Sequence, residues 1–440
     1  MSEPVPFRVN GKSRTVKCAP DASLLDVLRD TLGITSPKNG CAPQAQCGCC
    51  CILVDGAPKL ACAVAIKRVA GKEVTTLEGI PGREREILAR AFVSHGALQC
   101  GFCIPGIVMR SKAILDKNAR ASRDEIAKSL DVHLCRCTGY TKILQAIQTA
   151  GTVWKNGTLP QPAEECRVGR RFAKVEGGAL ALGERAYIDD MKLPGMLFGA
   201  VLLSEHPRAK LLEVDIAPAR KIEGVVDVAT WRAVPGERYQ GLIYKDWPIF
   251  VREGEETRCV GDVIAVVAGE TREAARQGAA AVRVQYDVLP PVTDPEDPKA
   301  KLLSKSVVRR GDVDAALAKS KHVVTAAFRT QRIEHAFLEP ESCLAVPEGD
   351  TILVYSQGQG IYDDRRQIAD VLRMPEEKVR VVLVSAGGAF GGKEDLSIQA
   401  QTALLAHRTG RPVKLTLTRE ESMRLHPKRH PIRMTYTVGC

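Results

Sequence analysis

No stretch of this chain approaches the roughly 18 consecutive apolar residues that a membrane-spanning helix needs. Its opening residues, MSEPVPFRVNGKSRTV, lack the apolar segment of a secretory signal. A membrane span and export are therefore not expected, and a cytoplasmic location is. Aromatics are scarce at 5%, and cysteine nearly vanishes beyond residue 166, where only Cys259, Cys343 and Cys440 of the fifteen remain. The formal charge of +11 is dispersed, and its densest runs, RVGRR (167–171) and HPKRH (426–430), belong to no nucleic-acid reader motif. Nucleic acid is thus not an expected partner; the basic surface could at most dock acidic ones. At 440 residues, with 45% hydrophobic and 26% charged residues, the chain is a soluble globular protein too long for one core, and two to four domains are expected.

What is present begins with short strands. FRVNGKSRTV (7–16) and CILVDGAPKLAC (51–62) each place a turn dipeptide, Asn10-Gly11 or Asp55-Gly56, between strand runs and so predict hairpins. Between them DASLLDVLRDTLG (21–33) has a helical apolar face that stops at Gly33. A small ferredoxin-like β-grasp domain is expected over 1–80. Over 81–155 the apolar spacing becomes helical in REREILARAFVSHGAL, PGIVMRSKAILDKN, SRDEIAKSLDVHL and YTKILQAIQTAGTVW, predicting four short helices. Pro105 fits a first helical turn, and Ser122 with Glu125 forms a capping box. A polar, proline-bearing linker follows over 156–174, then alternating strands and helices in two α/β regions, 175–298 and 299–440. The second ends in MTYTVGC, an extended run without turn or cap. The fold class expected is therefore multi-domain, α+β followed by α/β.

Clustered cysteines in a chain without a secretory signal point to metal or redox chemistry rather than disulfides. CAPQAQCGCCC (41–51) holds five. Plant-type [2Fe–2S] loops use Cys-x4-Cys-x2-Cys and a distant fourth cysteine. Cys47 and Cys50 supply the Cys-x2-Cys, Cys62 the distant ligand and Cys41 the first, although the Cys41 to Cys47 gap is five residues. Four thiolates could also bind zinc on this stretch alone, with iron–sulfur favoured, and the longer gap leaves room for a neighbouring cysteine to substitute. A second constellation, QCGFC (99–103) and CRCTGY (135–140), supplies Cys100, Cys103, Cys135 and Cys137, two tight pairs 31 residues apart and an unusual pattern for zinc. GGAFGGKE (387–394) nearly fits a phosphate-binding loop, but Glu394 stands where Ser or Thr would reach magnesium, which argues against ATP.

Taken together, the two cysteine constellations resemble the molybdenum hydroxylases, the xanthine dehydrogenase and aldehyde oxidoreductase family. Downstream, ALGERAYIDDMKLPGMLFGAVLLSEHPRAKLLEVD (181–215), EHAFLEPESCLA (334–345), SQGQG (356–360) and GGAFGGKED (387–395) appear in that family's order. The resemblance implies a plant-type ferredoxin domain over 1–80, a helical [2Fe–2S] domain over 81–155, an a/b hammerhead domain over 175–298 and the first part of a molybdopterin-binding domain over 299–440. It assigns Cys41, Cys47, Cys50 and Cys62 to one [2Fe–2S] cluster and Cys100, Cys103, Cys135 and Cys137 to another. It places Gln99, Cys137, Gln357, Gly388, Phe390 and Gly391 at the cofactor, and Glu394 against a purine ring. His335 and Glu339 are expected to be structural. Cys49 and Cys51 take positions where the family has small residues, and strand alternation around Cys50 should turn them away from the cluster.

The resemblance further implies oxidation of a purine such as xanthine or hypoxanthine, or a related N-heterocycle, with oxygen taken from water. Electrons would pass from molybdenum through both clusters to an external acceptor. The CGCCC run and GGAFGGKED are most similar to the flavin-domain-lacking, selenium-dependent xanthine dehydrogenase branch. Molybdopterin as its cytosine dinucleotide is the implied cofactor, and any FAD would sit on a separate subunit. No catalytic residue is expected in this chain, because the general-base glutamate belongs to the family's other molybdenum half. That half, or a homodimer partner, is the expected complement, with truncation preferred over a split subunit, and the chain alone is expected to be inactive. The alternatives are an aldehyde oxidoreductase of the same family and a non-catalytic iron–sulfur electron-transfer subunit.

Overall fold

A computed structural model describes residues 3–155, 157–158, 167–169 and 172–440. The expected linker over 156–174 falls largely outside the described residues.

The first sheet has five strands, β1 (Glu3–Val9), β2 (Lys12–Cys18), β3 (Cys51–Val54), β4 (Ala57–Leu60) and β5 (Glu73–Thr75), ordered β2-β1-β5-β3-β4. Both expected hairpins form. Asn10 and Gly11 have φ of 50° and 76°, Asp55 and Gly56 48° and 77°, the paired left-handed turn that matches strand twist. The expected helix is shorter than its pattern: α1 (Leu24–Asp26), capped by Ser23, widens into one π-type turn at Val27–Thr31. Its apolar residues Leu24, Leu25, Val27 and Leu28 are buried against the sheet.

Four helices follow, α2 (Gly82–Ser94), α3 (Ile104–Lys117), α4 (Arg123–Ser129) and α5 (Thr141–Val153). Pro105 lies in the first turn of α3, and the Ser122–Glu125 capping box opens α4. The periodicity predicts α4 through Leu134, yet it stops at Ser129. Beyond it Leu130, Asp131 and His133 make local turn bonds, and the Leu134 N–H goes to the Cys47 carbonyl at 2.9 Å.

The rest begins with α6 (Gly177–Ala181), β6 (Leu197–Leu203), β7 (Ala209–Asp215), β8 (Val225–Ala229), the short pair β9 (Tyr239–Gln240) and β10 (Trp247–Pro248), β11 (Val263–Gly269), α7 (Arg272–Ala281) and β12 (Arg283–Val288). It continues with α8 (Val313–Lys319), β13 (Val323–Arg329), β14 (Ser342–Glu348), β15 (Thr351–Ser356), α9 (Ile361–Leu372), β16 (Val379–Leu383), α10 (Gln399–Thr409), β17 (Val413–Thr416), α11 (Arg419–Leu425) and β18 (Arg433–Gly439). Seven of these strands form one mixed sheet, β16-β15-β14-β17-β6-β11-β8. Strand β17 pairs parallel to β6, Val413 opposite Leu197, so the sheet runs unbroken across the expected boundary near 298. One shared core results, with Leu197, Val266, Ala345, Val354 and Leu404 in a single cluster. The terminal extended run is β18, which pairs with β13 along seven residues in a separate ribbon. That ribbon leaves Val324, Phe328, Tyr436 and Val438 exposed.

Candidate functional site

The cysteines of the first 62 residues separate by strand alternation. Cys50 faces the β-grasp core with Cys62, whereas Cys49 and Cys51 face the core shared with the helices. The Cys50 thiol is hydrogen-bonded to Cys62, and the Cys41 thiol to Cys47. The amides of Gln46 and Cys47 both donate to the Cys41 sulfur at 3.2 Å, a use for the backbone of the longer loop. Cys51 instead donates to the Ile52 carbonyl at 3.9 Å, while Cys49 donates to the Cys47 carbonyl at 3.8 Å and is also hydrogen-bonded to the Cys47 thiol. Burial pushes the Cys51 thiol up to about 12.

The helical domain gathers a second tetrad from the start of α3 and the loop after α4. The Cys137 and Cys100 sulfurs are 3.5 Å apart, and Cys103 is hydrogen-bonded to Cys135. Hydrogen bonding to the partner thiol, then burial, raises Cys100 and Cys103, while the same bonds draw Cys135 down to about 5 and Cys137 to about 7. Two sulfur pairs, Cys100 with Cys137 and Cys103 with Cys135, form a donor set that suits a [2Fe–2S] cluster. Both tetrads fit that group.

The tetrads are locked together. Gly48, between Cys47 and Cys49, lies so close to His133 that an added Cβ would come within 2.4 Å of its Nδ1. Gly106 of α3 likewise seats on the carbonyls of Gly48 and Cys49.

The third part is the glycine-rich turn at 387–392, where the resemblance places the cofactor. Added Cβ atoms at Gly387 would meet Glu339 Cβ at 2.4 Å and Phe102 Cγ at 2.8 Å. The Gly387 amide donates to the Glu339 carboxylate. Gly388, Phe390 and Gly391 all have left-handed φ (92°, 57° and 87°), which turns the half-exposed Phe390 ring outward. Beside the turn opens a cavity of about 340 Å³ lined by Gln99, Cys100, Lys174, Arg185, Ser385 and Ala386, among others. Gln99 is fixed at its mouth by donating to the Cys137 carbonyl at 2.9 Å. The cavity lining carries Lys174 and the Arg185–Glu176 ion pair, and the adjoining glycine-rich turn offers backbone that can approach an anionic cofactor such as molybdopterin.

Gln357 is buried rather than presented to open space, and its Nε2 donates to the carbonyls of Pro340 and Ser342, each at 3.3 Å. Lys393 points inward, with its ammonium on Gln357 Oε1 and on the Glu339 carbonyl. A phosphate-binding lysine is therefore ruled out here, in line with Glu394 at the next position. Glu394 is exposed, and burial, then the charges of Glu394 and Asp246, raise the neighbouring Asp395 carboxyl. Glu339 is fully buried, and its carboxyl is pushed up to about 7 by burial against the pull of Lys393.

Several residues that carry this arrangement gave no sequence signal. Phe102 packs edge-on to Tyr187 at 5.1 Å, approaches Gly387, and would contact any side chain at Gly40. The Tyr187 hydroxyl donates to the Cys100 carbonyl at 2.6 Å. Arg136, within Cys-Arg-Cys, donates to the His335 carbonyl at 3.0 Å, and Arg419 to the Gly40 carbonyl at 2.9 Å. His426, which the sequence places in a basic surface run, is buried between Glu334 and Glu341 at 2.7 and 3.0 Å.

A buried ion network joins three regions of the chain. Asp189 and Asp190 each sit 2.9 Å from Arg29, Asp190 is 2.6 Å from Lys38, and Asp189 also pairs with Arg272. Burial raises the Asp189 carboxyl, but Arg272, Arg29 and Lys414 outweigh it and hold it well below 3.8.

Comparison with known proteins agrees with this layout. The [2Fe-2S] binding domain family matches residues 76–148, the aldehyde oxidase and xanthine dehydrogenase a/b hammerhead domain 182–290, and the molybdopterin cofactor-binding domain 294–440. The aldehyde oxidoreductase of Megalodesulfovibrio gigas is 31% identical over 97% of this chain and 50% of its own length. A probable xanthine dehydrogenase subunit of Bacillus subtilis is 38% identical over 61% of this chain and 37% of its own. A solved aldehyde oxidoreductase from Desulfovibrio gigas superposes with a TM-score of 0.89 at 28% identity, covering 99% of this chain and 52% of that one. The chain thus spans about half the length, or less, of these three relatives. Among the described residues no helix is long and apolar enough to cross a membrane. With [2Fe–2S] and molybdopterin-binding domains joined through a hammerhead domain, the chain belongs to the molybdenum hydroxylase family of xanthine dehydrogenases and aldehyde oxidoreductases.

Proposed function

We propose that this chain forms the electron-relay part and one wall of the cofactor cavity of a molybdenum hydroxylase that oxidises a purine, xanthine or hypoxanthine, or a related N-heterocycle. The observation that carries the reading is continuity. Gln99 lies at the cavity mouth and on Cys137, the second tetrad abuts the cavity through Cys100, and the Leu134–Cys47 hydrogen bond leads to the first tetrad. Molybdopterin, when bound, supplies two-electron oxidation of the substrate, and the clusters accept single electrons. Cys41, Cys47, Cys50 and Cys62 would hold one [2Fe–2S] cluster, and Cys100, Cys103, Cys135 and Cys137 the other. Gln99, Cys137, Gly388, Phe390 and Gly391 border the cofactor and orient it, with Gln357 behind them. Phe390 and Glu394 lie on the exposed side of the turn, where a ring could stack and hydrogen-bond; this supports a purine, and the CGCCC and GGAFGGKED runs support the selenium-dependent xanthine dehydrogenase branch.

The cytosine dinucleotide form of the cofactor, an external acceptor or a separate FAD subunit, and a polypeptide carrying the general-base glutamate complete the proposal. The apolar face of the β13–β18 ribbon supports packing against that further polypeptide. The second reading, an aldehyde oxidoreductase, is favoured by the likeness to the M. gigas enzyme over 97% of the chain. Assaying the native complex with xanthine, hypoxanthine, a pyridine carboxylate and an aromatic aldehyde against a dye acceptor separates the two. Purine turnover with the aldehyde inert is expected, and the opposite order would replace the first reading with the second.

A further inference from the structure

His133 links the two cysteine loops and is 2% exposed. Its carbonyl accepts the Tyr140 hydroxyl at 3.1 Å, and that hydroxyl accepts the Cys135 amide at 2.9 Å, which ties its backbone to the second tetrad. Its ring reaches the first. A Cβ added at Gly48, between Cys47 and Cys49, would lie 2.4 Å from Nδ1 and 2.7 Å from Cγ, so the Nδ1 edge of the ring faces that turn. On the other edge Nε2 meets Arg110 Nε, from α3, at 3.2 Å.

A neutral imidazole carries one N–H and one lone pair, and the bond made at one nitrogen decides which is which. A guanidinium has only donors and stays charged. Against Arg110, His133 Nε2 can only accept, so the ring is neutral and its proton sits on Nδ1. Among the described residues no group takes a hydrogen bond from Nδ1, although the atom is buried. A buried N–H without a protein acceptor is costly, and it points to a ligand that takes the bond. The turn it faces carries Cys47 and Cys50, two of the four thiolates assigned to the first cluster.

We propose that His133 presents a fixed N–H to the first cluster and thereby makes it easier to reduce, with Arg110 the positioning residue that holds the ring in that tautomer. This rests on the reading of the first tetrad as a [2Fe–2S] site. A cluster held by four thiolates gains negative charge on reduction, and hydrogen-bond donors near its sulfurs favour the reduced form. Easier reduction at the first cluster draws the electron onward from the second, toward the external acceptor.

The test uses the native complex and its His133→Leu, Arg110→Met, Arg110→Lys and His133→Leu/Arg110→Met variants, each titrated potentiometrically with the two cluster EPR signals read apart. The parent should hold about four irons per chain; a parent lacking the first cluster's signal would remove the cluster reading and this inference with it. His133→Leu should lower the first cluster's reduced-to-oxidised ratio about tenfold at the parent's midpoint, about 59 mV for one electron, and leave the second cluster's midpoint in place. Arg110→Met should lower the same ratio in the parent but not in the His133→Leu background, and Arg110→Lys should keep the parent value. Equal losses from Arg110→Met in both backgrounds would show the arginine acting by charge alone and overturn its role. An unmoved first-cluster midpoint in His133→Leu would overturn the whole inference. Pulsed EPR of the parent carrying heavy-nitrogen histidine needs no variant: a histidine nitrogen coupled to the reduced first cluster is expected, and its absence would overturn the donor.

Discussion

The Leu134 amide donates to the Cys47 carbonyl at 2.9 Å, a single hydrogen bond between the neighbour of one tetrad and a member of the other. Cys135 follows Leu134 directly, so the path from Cys135 to Cys47 crosses a few covalent bonds and this one contact. Two glycines make that approach available, Gly48 against His133 and Gly106 against the Gly48 carbonyl.

Gly48→Ala tests the contact. The new Cβ would meet His133 Nδ1 at 2.4 Å, at a residue with φ of +73°. A left-handed alanine costs about 1 kcal/mol and the overlap roughly 1–3 more. Denaturant titration should show a loss of about 2–4 kcal/mol, with weaker magnetic interaction between the two reduced clusters.

The cysteine register is tested by single replacements and iron analysis. Cys50→Ser should lower iron from about four to about two per chain, with one of two [2Fe–2S] EPR signals lost. Cys49→Ala and Cys51→Ala should each keep about four, since strand alternation places both on the face opposite Cys50 and Cys62. Loss of iron in Cys49→Ala with retention in Cys50→Ser would reverse the assignment.

Gly387→Ala separates the cofactor cavity from the clusters. Its Cβ would press on Glu339 and Phe102, forcing the turn outward. Iron should stay near four per chain while bound molybdenum and pterin fall at least tenfold, as read by metal analysis and fluorescence of the released pterin.

Asp189 sets a pH dependence. Its folded-state value is depressed, so it contributes stability above its unfolded value near 3.9 that disappears as pH falls toward the folded one. Asp189→Asn should cost about 3–5 kcal/mol near neutral pH, because Arg29 and Arg272 lose a buried partner. The gap between parent and variant should narrow below pH 4 in urea titrations. A gap that holds constant down to pH 2 would assign the loss to packing instead.

Local signals made part of this architecture legible. The Asn-Gly and Asp-Gly hairpins, the Ser122–Glu125 box and the paired cysteines depend on residues close in sequence, where turn chemistry and spacing decide. Non-local pairings carried no such mark. β17 meets β6 across more than two hundred residues, and that contact fuses two regions the proline-rich stretch had divided. The early end of α4 was hidden for the same reason, since the partner that takes the Leu134 amide lies at Cys47. Lys393 looked like a loop lysine because its motif was read by spacing. Its direction is set by Gln357, Glu339 and Phe337, all distant in the chain.

The most direct measurement is the metal and pterin content of the native complex purified with its own partners. About four irons per chain, about one molybdenum and a releasable pterin, with substrate bleaching both [2Fe–2S] absorption bands, is the predicted result. About four irons with neither molybdenum nor pterin would contradict the account and leave an electron-transfer protein.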